Sequence, residues 1–140
     1  MTLDEFTKSC WKYYQVLVSD FMGLSRYFAF EEDNEKCHSV EFSKQYQSIC
    51  SEIDVICKNY CAFINSTASR ENIMDYTHII LSHKPDIINS EISCDSFELE
   101  PWKNWKCDHS DHRNFRNPNN IRPEWWSLYN KVKHERLESD

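Results

Sequence analysis

Glycine is almost missing from this chain, with one residue, Gly23, in 140, and proline occurs four times. So few residues suited to positive φ leave little material for the tight turns of hairpin-rich β folds. The same scarcity excludes a glycine-rich phosphate loop and a G-x-S-x-G nucleophile elbow. Long apolar runs are absent too, and nothing approaches the roughly 18 residues of a membrane span. The opening MTLDEFTKSCWKYY has neither the basic nor the apolar region of a secretory signal. Basic charge is in short supply, with 16 Lys+Arg against 23 Asp+Glu, a formal charge of −7 and a pI near 5.3. Broad binding to phosphate backbones is thereby disfavoured, because it draws on clustered Lys and Arg.

Aromatic residues, in contrast, make up 14 % of the chain and include five tryptophans, which argues against disorder. The length suits a single helical domain spanning 1–140. Seven cysteines are an odd number, and Cys50, Cys57 and Cys61 recur at helical spacing. That pattern suits reduced, buried thiols in a cytoplasmic protein better than a disulfide framework.

Apolar periodicity organises the chain. Thr2 and Glu5 form a capping-box pattern, and Phe6, Cys10, Tyr13, Tyr14, Leu17 and Phe21 carry a helix to about Gly23. Residues 31–36 read as a solvated acidic loop. A helix of roughly seven turns, at 3.6 residues each, follows from Ser39 to Ile64. Its stripe runs from Phe42 through Tyr46, Ile49, Cys50, Ile53, Ile56, Cys57 and Tyr60. A third helix is expected from Glu71 to Ser82, capped by Ser69 or Asn72 and stopped by Pro85. His78 is read as solvent-facing on it, and His83 and Lys84 suit its C-terminal dipole.

Ile92–Cys94 and Phe97–Leu99 suggest two very short strands. Trp102 and Trp105 read as the anchors of a loop, and residues 106–122 as a polar surface loop. The last helix has Pro123 at its first position. At about 100° per residue, Trp125, Leu128, Tyr129 and Val132 share one stripe, expected to be the core side. Trp126, Asn130, Lys133 and His134 form a second, which either calls for a partner surface or is internal too, with Asn130 and His134 as satisfied polar residues.

The run Ile49–Val55, then Pro101-Trp102-Lys103-Asn104-Trp105, then Trp125-Trp126-x-x-Tyr129-Asn130-Lys131-Val132-Lys133-His134-x-Arg136 resembles uncharacterised bacterial proteins of the HEPN superfamily. The resemblance covers most of the chain, from about Tyr27 to Arg136. It implies a mainly α-helical antiparallel bundle, with the small extended element near 92–99, and a homodimer. Many relatives of that kind are toxins or phage-defence proteins that cut RNA without a metal ion. Carried across, His134 matches the motif histidine, as acid–base group, and Asn130 the polar position, with Lys131 a nearby cation. The motif arginine has no counterpart, since Ser127, Leu128 and Tyr129 occupy its spacing, and tyrosine cannot replace a guanidinium fork. The alternative is a non-catalytic protein–protein interaction module of the same fold, using Trp126 and Lys133 at the interface. The end of the chain, four residues after Arg136, fits a fragment of a longer protein as well as a whole one.

Two further readings come from the 106–122 loop. Arg113, Arg116 and Arg122 with Phe115 suit local contact with single-stranded RNA. Cys107, His109 and His112 are zinc-ligand types, but a closed site needs four ligands, and Cys94 or Cys37–His38 would have to complete it. No metal or cofactor is therefore expected, and the loop reads as incidental polar surface.

Overall fold

The computed structural model describes residues 2–24, 40–94 and 97–138, with backbone alone at 40, 41, 94, 97 and 132–138. The chain is mainly helical. Helix α1 (Leu3–Phe6) passes without a break through one widened turn, Thr7–Trp11, into α2 (Lys12–Gly23). The Lys12 amide donates to the Thr7 carbonyl in that turn, one residue farther back than in an α-helix. The capping box forms as the spacing predicts, with Thr2 Oγ1 accepting from the Glu5 amide at 3.2 Å and Glu5 accepting from the Thr2 amide at 2.7 Å.

Helix α3 (Val40–Ile64, 25 residues) is the central element and packs against α2, α4 (Ile73–His83) and α5 (Glu124–Glu138). Its expected stripe turns inward: Cys50, Cys57 and Cys61 are buried and free of disulfides. Burial pushes these thiols up, Cys57 to about 12, so they stay protonated and fill the core. Asn72, the second of the two candidate caps, starts α4 by accepting from the Met74 and Asp75 amides at 3.0 and 3.3 Å. Pro85 then opens a short 3₁₀ turn, Pro85–Asn89.

Strands β1 (Ile92–Cys94) and β2 (Phe97–Leu99) pair antiparallel, with Ile92 opposite Leu99. The main apolar cluster joins Cys57 and Cys61 of α3, Ile73, Tyr76 and Ile80 of α4, Trp105 of the loop and Trp126 of α5. Trp105, at 2 % exposure, donates its indole N–H to Thr77 Oγ1 at 2.8 Å, and Thr77 in turn donates to the Ile73 carbonyl. The two-tryptophan loop is thus anchored as its spacing suggested, at the cost of one left-handed residue, Asn104 (φ 65°).

Helix α5 turns part of both stripes inward: Trp125 and Tyr129 of the expected core stripe pack half-buried against the main cluster, and Trp126 of the other stripe joins it. Trp126, assigned to a partner-facing stripe, is 8 % exposed, whereas Leu128, assigned to the core, is 51 % exposed. The Trp102–Trp105 stack fixes this orientation: Trp102 meets Trp125 edge-on, and Trp125 meets Trp126 edge-on. Trp126 then fills the gap behind them within the chain's own core. Tyr46 of α3 locks the arrangement by donating its hydroxyl to the Trp125 carbonyl. Pro123 falls just before the helix rather than at its first turn, accepting from the Trp126 amide at 3.0 Å. Among the described residues no helix is long and apolar enough to cross a membrane.

Candidate functional site

Two places gather chemistry-bearing side chains, and the loop over α4 is the better built. An antiparallel bridge, Lys106 to Ile121, closes the loop with two backbone hydrogen bonds of 3.0 and 2.9 Å. Inside it, Asp108, Asp111, Asn114, Asn117 and Asn120 recur at every third residue. Each amide from Asp111 to Asn120 in that series donates to the carbonyl three residues back, at 3.0–3.1 Å. The side chains reinforce the turns. Asp108 accepts from the Ser110 amide, Asn117 from the Asn119 amide and Asn120 from the Asp108 amide. What reads as loose polar sequence is therefore a folded, self-bonded loop.

Asp75 ties that loop to the helix. Its carboxylate sits in the first turn of α4, 1 % exposed, where the helix dipole favours negative charge. Oδ2 accepts from the Glu71 amide (3.0 Å) and Ser69 Oγ (3.2 Å), and Oδ1 meets His112 Nε2 (3.3 Å) and Arg113 Nε (3.2 Å). Burial alone would raise this carboxyl; the Glu71 amide, the Arg113 charge, His112 and Ser69 more than offset it and hold it below the usual carboxylate range.

One turn later His78 lies half-buried beneath the loop, not facing solvent as its helix position suggested. His112 stacks flat on it, centroids 4.2 Å apart and planes within 9°. His109 approaches from the other side, Nδ1 to Nδ1 at 2.9 Å. Ser82 Oγ lies 3.1 Å from the same His109 nitrogen and spends its own proton on the His78 carbonyl. The hydroxyl can then only accept from His109, so His109 Nδ1 carries the proton and His78 Nδ1 presents its lone pair. Burial, then the neighbouring His112 and His109, lower the His78 pKa, with Asp75 opposing. Cys107 completes the group: one ligand atom each from His78, Cys107 and His109 lie within 4.8 Å of one another. Its thiol is pushed up to about 11 by burial and the Asp108 charge.

The second place is α5. Asn130 is half-buried and Lys131 exposed, one turn before the helix position of His134. The side chains of Lys133 and His134 lie outside the described residues. Trp126 is removed from any partner surface by its burial. Of the loop arginines, Arg113 is engaged with Asp75, while Arg116 lies 5.6 Å over the ring of Phe115, itself 66 % exposed. Arg122 is half-buried at the far end of the loop. Arg113 and Arg116 thus belong to different local contacts.

His78 is the residue that sequence reading missed. The only available signal was its position one turn after Asp75 on the helix face that receives a loop rich in histidine. Which face that is depends on tertiary packing. No family model matches the chain, and neither the curated proteins nor the solved structures contain a match to it.

Proposed function

We propose that this chain is a HEPN-like helical protein of the bacterial toxin or phage-defence kind that works as a homodimer. One observation carries the dimer: an apolar groove left open between the N-terminal helices and the end of α3. It holds a cavity of about 390 Å³ lined by Leu3, Phe6, Cys10, Ile56, Tyr60 and Phe63. Leu3 and Phe63 are 81 % and 80 % exposed, and Trp11 and Tyr14 add further apolar surface alongside. Every residue lining the groove is uncharged. A second copy can therefore be seated there without desolvating charge, although the chains repel at long range through their net charge of −7. Sedimentation of the full chain tests this. A dimer that Phe63→Glu converts to monomer supports the reading; a monomeric wild type at tens of micromolar, or an unaffected variant, overturns it.

The chemistry that goes with this reading is metal-independent RNA cleavage, with His134 as acid–base group, Asn130 orienting it and Lys131 adding charge. It is supported by the unbroken register of α5, which keeps positions 130 and 134 one turn apart. Arg116 and Phe115 are an exposed cation and aromatic on the loop that suit RNA. Against it stands the lack of an arginine at motif spacing before His134. Cleavage assays in EDTA, with wild type and His134→Ala, decide the matter. If the wild type cleaves no RNA class, tRNA included, the non-catalytic protein–protein interaction module is the reading that remains.

A further inference from the structure

We propose that His78, Cys107 and His109 form a zinc(II) site that pins the 106–122 loop onto α4. This site is separate from the α5 chemistry, and the inference does not rest on the proposed function. Three lines of argument converge on it.

The first is ligand geometry. A tetrahedral zinc with bonds of about 2.0–2.1 Å to nitrogen and 2.3 Å to sulfur places its ligand atoms roughly 3.3–3.6 Å apart. The three atoms here already lie within 4.8 Å of one another, and the two Nδ1 atoms are 2.9 Å apart. Occupancy needs changes of at most about 1.5 Å in these separations, within reach of side-chain rotation by the exposed His109.

The second is preorganisation. His78 is fixed on a helix and clamped by the flat stack with His112, which Asp75 holds in turn. Cys107 follows directly on the bridge residue Lys106, and His109 sits on the turn that Asp108 closes. A metal that had to order a loose loop would bind weakly; this loop is ordered by its own hydrogen bonds. The His112 stack and its Asp75 contact are the kind of outer support that orients a ligating imidazole.

The third is protonation and softness. His78 Nδ1 already offers a lone pair toward the cluster. Metal binding displaces one proton net, from the Cys107 thiol to give the thiolate, while His109 shifts to the tautomer protonated on Nε2, where its Nδ1 is the ligand. The thiol proton goes to solvent. One thiolate and two imidazoles suit zinc and cobalt, and they are a poor set for magnesium or calcium, which take oxygen ligands. Among the described residues no fourth His, Cys, Asp or Glu joins the three, so water would take the fourth position.

The test uses cobalt(II) as a spectroscopic stand-in and zinc in competition with a chromophoric chelator, both on the full chain under reducing conditions. One equivalent of cobalt should give a thiolate-to-metal charge-transfer band and tetrahedral visible absorption. Zinc should displace it stoichiometrically. Cys107→Ser should abolish the charge-transfer band, and His109→Gln, on an exposed side chain that leaves the core untouched, should weaken zinc binding on the order of 100-fold, the upper end of the range for perturbing a metal site. Cys37→Ser should bind as the wild type does. No saturable one-to-one binding at micromolar metal overturns the proposal. So does an unchanged charge-transfer band in Cys107→Ser, its loss in Cys37→Ser, or wild-type affinity in His109→Gln.

Discussion

Asp75 and Arg113 stand 38 positions apart in sequence and meet through both carboxylate oxygens, Nε to Oδ1 at 3.2 Å and a terminal nitrogen to Oδ2 at 3.4 Å. The pair is lopsided: the carboxylate is 1 % exposed and the arginine side chain 57 %. A half-exposed guanidinium keeps most of its hydration, so removing it forfeits little. The buried carboxylate has no water to fall back on.

That asymmetry predicts unequal losses. Asp75→Asn removes the charge that Ser69, the Glu71 amide, His112 and Arg113 all address, and should destabilise by about 2 kcal/mol, the range for hydrogen bonds to a charged group. Arg113→Met should cost less than about 1 kcal/mol, as for other partly exposed ion pairs. Chemical denaturation of both variants measures the difference. Equal losses would mean that the ion pair, and not the bonds from Ser69, the Glu71 amide and His112, is what Asp75 contributes.

Acid should act through the same carboxyl. Its pKa is lower in the folded chain than unfolded, so the unfolded chain takes up the proton first as pH falls. The stabilisation is complete above the unfolded value, near 4, and is lost as pH drops through the lower folded value. The stability gap between wild type and Asp75→Asn should therefore be constant from about pH 7 to 5 and narrow below about pH 4. A gap that stays constant to pH 2.5 would show that the charge on Asp75 carries none of it.

Much of the fold is legible in the residues themselves, because its signals are local. The Thr2–Glu5 box, the α3 stripe, the Asn72 cap and the two short strands each depend on neighbours within a few positions. What local pattern cannot convey is how two adjacent apolar stripes share the inward side. In α5, Trp125 and Trp126 are adjacent, and the choice was made by Trp102 and Trp105, some twenty residues away. The loop shows the same limit. Cys107, His109 and His112 are visible as ligand types, but the third member of the cluster, His78, comes from a helix about thirty residues earlier. The every-third-residue Asp and Asn series, read from the sequence only as polar surface, forms turns bonded in succession.

Two α5 residues, Trp126 and Leu128, make a direct contrast. Trp126→Ala should destabilise by about 3–5 kcal/mol, the range for removing a buried large aromatic. Leu128→Ala should stay within about 0.5 kcal/mol, as for exposed positions. Thermal melts of the two variants separate the alternatives. If Leu128→Ala proved the more damaging, the stripe read from the sequence would be the true core face.

The Trp105–Thr77 bond offers a test of how the loop is held. Thr77 Oγ1 accepts from the indole and donates to the Ile73 carbonyl, and both side chains are buried. Thr77→Val keeps the shape but strands the indole N–H without water, so it should cost about 1–3 kcal/mol. Trp105→Phe removes the donor along with part of the ring, leaving Thr77 its bond to Ile73 but opening a cavity. Because the two residues share one interaction, the double variant should cost less than the sum of the singles by about 1 kcal/mol. Strict additivity in a denaturation cycle would mean that Trp105 holds the loop by its bulk alone.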